Sequence, residues 1–393
     1  MDSVVIVGAA RTPIGNFCGG LSTLPASDLG ATAIRECLRR ANVPAEDVSE
    51  VIIGQTLQTG EGQNPARQAS KKAGLPNSVA AFSVNMLCGS GLKSVTLGRN
   101  NILAGESKIV VCGGQESMSQ APHSIRLRDP VKMGNASMVD TMLHDGLTDA
   151  FVNCHMGITA ENVAKKCSVS RAEQDAAAAE SQRRAEVAQK SGYFAEEIVP
   201  VDVKIRNQVT RIEVDEFPKH GTTLDNLAAL KPVFIRDGTG TVTSGNASGI
   251  NDGAAAVVLM SAGEASARGI KPIAKIVGTS QSGIEPDLMG LGPITAVEVL
   301  LKKIGWSKDE VDLFELNEAF AAQAIAVLKG LGLDDKKVNI NGGAIALGHP
   351  IGASGTRVLV TLIYALKRTG GRKGVASLCV GGGMGVAIAI EML

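Results

Sequence analysis

Three stretches far apart in the chain each set a reactive side chain beside glycine. They are Cys88-Gly89-Ser90-Gly91, Gly348-His349-Pro350 running into Gly352-Ala353-Ser354-Gly355, and Cys379-Val380-Gly381-Gly382-Gly383-Met384-Gly385. Two thiols and an imidazole are the parts for thioester chemistry. A thiolate attacks an acyl carbon, a base controls its proton, and bare backbone N–H groups hold the oxyanion. Each residue also has a plainer reading. A lone cysteine is usually an inert core thiol. At Cys88, however, the Gly-Ser-Gly that follows turns the chain sharply into a helix, whose N-terminus would favour the thiolate. A loop histidine is commonly just solvated, but His349 sits in a fixed turn ahead of a glycine-rich helix start, and imidazole titrates near neutrality. Cys379 could open a phosphate-binding glycine loop, yet its glycines lead into the apolar run 386–390 and not into a helix. It reads as a second thiol acting as acid and base.

The elements that must gather these residues occur twice. Residues 48–54 and 311–317 each read as a charged turn entering a buried strand. Gly89-Ser90-Gly91 and Ala353-Ser354-Gly355 each open an apolar helix, and each helix precedes a β-branched strand ending in glycine, 109–114 and 375–381. The offset stays at roughly 265 residues, far too long for a solenoid repeat. Two similar α/β halves follow, each with strands alternating with helices and a largely parallel sheet. Residues 160–166 and 172–190 are helical in pattern and lie in a stretch, 121–247, with no counterpart in the second half. The expected division is therefore a first half from 1–120 and 248–270, a loop domain at 121–247 covering the site, and a second half from 271–393.

Bulk properties fit this organisation. A chain of 393 residues exceeds one ordinary core. Aromatics are 3%, so the interior must be built from aliphatic residues and methionine. Formal net charge is zero, which argues against a nucleic-acid binder relying on bulk positive charge. The seven cysteines form no Cys-x-x-Cys pair and no zinc-like spacing, so free thiols in a reducing compartment are expected, with no metal. No leader-like segment precedes the apolar run 4–7, and no stretch of about 20 apolar residues occurs. A cytoplasmic protein with no membrane partner is the expectation.

The Cys88 segment, Asn317-Glu318-Ala319-Phe320, Gly348-His349-Pro350 and Cys379-Val-Gly-Gly-Gly-Met-Gly together resemble the signature segments of thiolases. The resemblance extends to His155-Met156-Gly157 and Gly245-Asn246-Ala247-Ser248-Gly249, covers the whole chain, and is closest to the short-chain, biosynthetic type in its cytosolic form. It implies two stacked mixed five-stranded sheets with helices in layers, plus an inserted loop domain. It implies a reversible Claisen condensation of two acetyl-CoA to acetoacetyl-CoA and CoA through an acyl-cysteine, with no metal or redox cofactor. By this resemblance Cys88 carries the acyl group, His349 takes its proton, and Cys379 moves the proton at C2 of the second substrate. One oxyanion hole uses His349 and a water held by Asn317; the other uses the N–H groups of Cys88 and Gly381. Taken alone, Asn317 reads as a helix cap; the full Asn-Glu-Ala-Phe match points to the oxyanion role, with Glu318 as support.

Coenzyme A would lie against Leu147, His155, Met156, Phe234, Ala247, Ser248, Met289 and Phe320, with Ser248 on the pantetheine arm. Lys219 and Thr222 fall where the family meets the nucleotide. Many members have Arg at the former position, and Lys keeps the charge without the bidentate fork; a solvated surface charge is the competing reading. Met156 and Met289 match methionines that narrow the acyl pocket, although Met is also ordinary core filler. The family assembles as dimers or tetramers, and residues 121–145 are the candidate contact for a homotetramer built as a dimer of dimers. The nearest alternative is a degradative 3-ketoacyl-CoA thiolase of broader chain length. A β-ketoacyl synthase would carry His in place of Cys379, and a non-catalytic acyl-CoA carrier would not need the intact Cys88, His349 and Cys379.

Overall fold

The structure, a computed structural model, describes residues 3–128, 131–206 and 208–393. The first half consists of β1 (Val4–Arg11), α1 (Ala26–Ala41), β2 (Glu50–Gly54), β3 (Ala80–Val84), α2 (Ser90–Ala104) and β4 (Ile109–Ser117). The chain then leaves for α3 (Met156–Lys166) and α4 (Arg171–Lys190) before returning as β5 (Asn251–Ser261). The second half holds β6 (Ala274–Gly283), α5 (Gly292–Ile304), β7 (Leu313–Leu316), α6 (Ala321–Leu331), α7 (Ile351–Thr369), β8 (Lys373–Val380) and β9 (Met384–Met392).

The first sheet runs β3-β2-β4-β5-β1, with β2 parallel to β3 and β4, and β5 antiparallel to both its neighbours. The second runs β7-β8-β9-β6, with β7 parallel to β8 and β9 antiparallel to its neighbours. Its fifth member is reduced to one parallel bridge, Phe314 to Val338. The two sheets meet edge to edge through only Val5–Lys275 and Ile6–Ala274. The first half supplies five strands, as expected. The second keeps the same order with its outermost strand frayed to a bridge.

α2 and α7 lie between the sheets. One apolar cluster contains Leu92 and Val95 of α2, Val358 and Leu362 of α7, Val110 and Val257 of the first sheet, and Leu378 and Ile388 of the second. α1 covers the outer face of the first sheet through Leu29, Ala33 and Ile34, and α5 covers the second through Val297 and Leu300. α7 is buried nearly all round, so its apolar side chains do not form a single stripe.

The crossing of α2 and α7 positions the site. A Cβ on Gly91 would sit 2.5 Å from the Thr356 backbone nitrogen, and one on Gly355 would strike the Leu92 backbone nitrogen. Thr356 Oγ1 donates to the Gly91 carbonyl at 2.9 Å. Only bare backbone allows this approach. It brings together the N-terminal ends of two long helices, one just after Cys88 and the other just after His349.

Candidate active site

Cys88 lies in a tight turn. Leu87 has φ of +48°, a left-handed conformation costly for a branched side chain. Asn85 Oδ1 accepts from the Leu87 N–H at 2.9 Å, and Ser90 Oγ donates to the Leu87 carbonyl at 2.7 Å while accepting from the Met86 N–H at 2.8 Å. These local bonds hold the turn that delivers Cys88 to the start of α2. The residue is half-buried.

Cys379 ends β8, and Gly381–Gly383 make the turn into β9, with Val380 paired to Met384. This segment lies directly against the Cys88 turn. A Cβ on Gly381 would touch Leu87 at 2.9 Å, and one on Gly89 would touch Val380 at 2.9 Å. The N–H groups of Gly381 and of Cys88 itself lie near enough to the Cys88 sulfur to favour its thiolate. The two sulfurs are close enough that charge on Cys88 opposes charge on Cys379. The far-separated thiols are therefore neighbours.

His349 is buried just ahead of α7. Its N–H donates to Asn251 Oδ1 at 2.9 Å. Its Nδ1 lies 2.6 Å from Ser354 Oγ, and that hydroxyl donates onward to the Pro350 carbonyl at 2.9 Å. Ser354 must then accept from Nδ1–H, which leaves Nε2 unprotonated and able to accept. Asn317 Nδ2 stands 3.4 Å from Nε2, while Asn317 Oδ1 is buried with no hydrogen-bond partner among the described residues. Such an orphaned acceptor fits a site completed by water or substrate. Asn317 does not cap α6, whose N-cap position is Phe320 with no side-chain bond.

Burial dominates the protonation of all three groups. The Cys88 thiol is pushed up to about 11 by desolvation; the Gly381 and Cys88 N–H groups pull it down by less. Cys379 is raised further by desolvation and then by Cys88. The N–H groups at the helix start favour the thiolate, as the sequence led one to expect. Loss of water outweighs them. His349 is lowered to about 3, by desolvation and then by Arg357, so it rests neutral.

A cavity of about 310 Å³ opens over these residues. Cys88 and His349 line it, together with Leu147, His155, Met156, Phe234, Ala247, Ser248, Met289 and Phe320. Cys379 lies just behind the wall, packed with Met156, Met289 and Phe320. Asn317 and Gly381 also lie outside the lining, each one contact from it: Asn317 beside His349 and Gly381 beside Leu87 and Met156. His155 stacks on Phe234 at 4.7 Å, and its Nδ1 accepts from the Gly157 N–H at 3.0 Å, so α3 starts at the cavity. Ala247 bridges to Phe320, and the Ser248 N–H donates to the Ala319 carbonyl at 3.0 Å, tying the return of the insertion to the Asn-Glu-Ala-Phe segment. Lys219 and Thr222 are not brought to the cavity. Lys219 is exposed with Nζ 5.7 Å from the Phe217 ring, and Thr222 Oγ1 donates to the Lys219 carbonyl at 2.6 Å.

Glu318 faces away from the cavity. Its carboxylate accepts from Ser181 Oγ at 2.7 Å, Asn339 Nδ2 at 3.2 Å and the Ile345 N–H at 3.2 Å, joining α4 to the loop ahead of α7. Sequence reasoning missed Asn251, Ser354 and Glu116, which support the site. Ser354 was visible in the Gly-Ala-Ser-Gly stretch; its spacing of one helical turn from Pro350 was the only available signal. Among the described residues no group of three or more His, Cys, Asp or Glu is placed to hold a metal ion.

Comparison with known proteins agrees with this geometry. The model described as "Thiolase, N-terminal domain" matches residues 4–263, and "Thiolase, C-terminal domain" matches residues 270–392. The chain is 59% identical over 390 residues to a Rattus norvegicus protein named "Acetyl-CoA acetyltransferase, cytosolic", covering 99% of this chain and 98% of that one. The corresponding Mus musculus protein is 60% identical with the same coverage. The crystal structure of the Bacillus anthracis acetyl-CoA acetyltransferase superposes with a TM-score of 0.98 at 43% identity, covering 100% of this chain and 99% of that one. With both halves matched and its thiols and imidazole gathered at one cavity, the chain belongs to the thiolase family.

Proposed function

We propose that the chain is an acetyl-CoA C-acetyltransferase, joining two acetyl-CoA into acetoacetyl-CoA and free CoA, and running the cleavage as well. The names of its relatives support the reaction. The observation that carries it is the gathering of Cys88 and His349 on one cavity with Cys379 packed just behind its wall, and with Gly381 against the Cys88 turn so that the Gly381 and Cys88 N–H groups lie near the Cys88 sulfur. Donors placed there suit a thioester oxygen bonded to the carbon that Cys88 attacks.

The resting protonation dictates the bookkeeping of protons. Both thiols start protonated and His349 starts neutral. Cys88 gives its proton to His349 Nε2 as sulfur attacks the acetyl carbon. CoA thiolate leaves and takes the Cys379 proton. The Cys379 thiolate so formed removes a proton from C2 of the second acetyl-CoA. The enolate oxygen is met by the Nε2–H of the now cationic His349 and by a water on Asn317. The enolate carbon attacks the acetyl-cysteine, and the departing Cys88 sulfur recovers its proton from His349. Every proton is returned, and no metal or redox group takes part.

Met156 and Met289 pack against Cys379 and limit room for an acyl tail, which favours acetyl over longer chains. Turnover should fall at least tenfold from acetoacetyl-CoA to a long-chain 3-ketoacyl-CoA; comparable rates would favour the degradative alternative. The adenine nucleotide would lie outside the cavity, near Lys219 and Thr222, with 121–247 acting as the domain that covers CoA. A homotetramer and a cytoplasmic location complete the proposal. The oligomer rests on the exposed Leu127, Met133 and Met138 in the 121–145 stretch, of which residues 129 and 130 lie outside the described residues. The location rests on the names of the relatives. Among the described residues no helix is long and apolar enough to cross a membrane.

A further inference from the structure

The floor of the cavity beside Cys88 joins the C-terminal ends of two paired strands of the first sheet, β2 and β4, to the start of α7, with which neither strand is paired. Leu57, in the loop after β2, packs there with Ile351, the first residue of α7, and with Met118; Cys88 lies against the same cluster. Beneath them is Glu116, near the end of β4 and fully buried. One oxygen accepts from the Gly352 N–H at 2.7 Å and the Thr56 N–H at 3.1 Å, and the other from the Leu57 N–H at 3.0 Å. A Cβ on Gly352 would lie 2.8 Å from Glu116 Oε2 and 2.7 Å from the Gln55 Cα, so the three segments meet at van der Waals limits.

We propose that Glu116 is a positioning residue: its carboxylate clamps the loop at 55–57 to the first turn of α7 and so fixes His349 against Cys88. Three N–H donors converge on it, and only a group that accepts at both oxygens satisfies all three. The carboxylate also sits at the positive end of a 19-residue helix, which favours an anion there. Burial raises Glu116 to about 7 in spite of these bonds, so the three N–H donors only partly offset the cost of burying its charge. His349 is only three residues before Gly352. A shift of this helix start therefore moves the imidazole directly.

This inference rests on the reading that Cys88 and His349 act together. Glu116→Gln keeps the volume but turns an NH₂ toward at least one backbone N–H. It should lower kcat at least tenfold while leaving KM for acetoacetyl-CoA within about twofold, because the pantetheine contacts lie elsewhere in the cavity. Glu116→Asp withdraws both oxygens by one carbon and should show the same split; it decides the matter if the Gln variant does not fold. Wild-type kcat in either variant, or a loss in KM alone, overturns the inference. Cys88→Ser separates the two claims. If that variant stays active, the reading of the site fails whatever Glu116 does. If it is inactive and Glu116→Gln has wild-type kcat, only the clamp fails.

Discussion

At the residue scale, desolvation sets the charge on every group that reacts. A Cys88 thiol raised to about 11 is protonated throughout the neutral range. Its thiolate fraction then grows about tenfold for each pH unit below that value. Inactivation of the free enzyme by iodoacetamide should therefore accelerate about tenfold per unit from pH 7 to pH 9. A plateau reached near neutrality would show instead a thiolate already formed. The identity of Cys88, His349 and Cys379 was legible in the sequence, because their chemistry depends on residue type and on flanking glycine. Their protonation was not. It depends on what excludes water, and around Cys88 those atoms come from residues near 56, 116, 156 and 381. Asn251 and Glu116 escaped for the same reason: a buried polar residue at a strand end looks like any other until its partners arrive from a distant segment.

At the element scale, the crossing of α2 and α7 holds the site together. Gly355→Ala would drive a Cβ into the Leu92 backbone nitrogen, which cannot rotate away. Overpacking of this kind costs about 1–3 kcal/mol. The variant should show a lower melting temperature and a reduced kcat, since Cys88 and His349 sit at the helix starts that would be forced apart. Unchanged stability and turnover would mean that the crossing has slack. Most strands were readable from unbroken apolar runs: 109–114 lies inside β4, and 254–260 inside β5. Boundaries were less so. α3 begins at Met156, ahead of the expected 160, because His155 caps it through Nδ1, and histidine is not a usual capping residue. The outer strand of the second sheet left no readable pattern, since only Val338 is paired.

At the scale of the molecule, an internal duplication places two equivalent helix starts back to back, and each half contributes part of one cavity. The exposed arm carries Met133 at 93% and Leu127 at 68% accessibility, more than an isolated surface residue of these types needs. Met133→Asp with Leu127→Asp should convert the proposed tetramer to dimers in sedimentation while each protomer keeps its fold; an unchanged sedimentation coefficient would place the contact elsewhere. The duplication was visible as repeated strand–helix–strand wording at a constant offset, whereas the closeness of the thiols was not, because it depends on how the second half folds back on the first. That closeness is the central claim, and brief incubation with acetyl-CoA followed by mass mapping tests it most directly. The account predicts one acetyl group, on the peptide containing Cys88, absent from Cys88→Ala and accumulating in Cys379→Ala, where the second half-reaction stalls. Acetylation of another residue, or labelling that persists in Cys88→Ala, would contradict it.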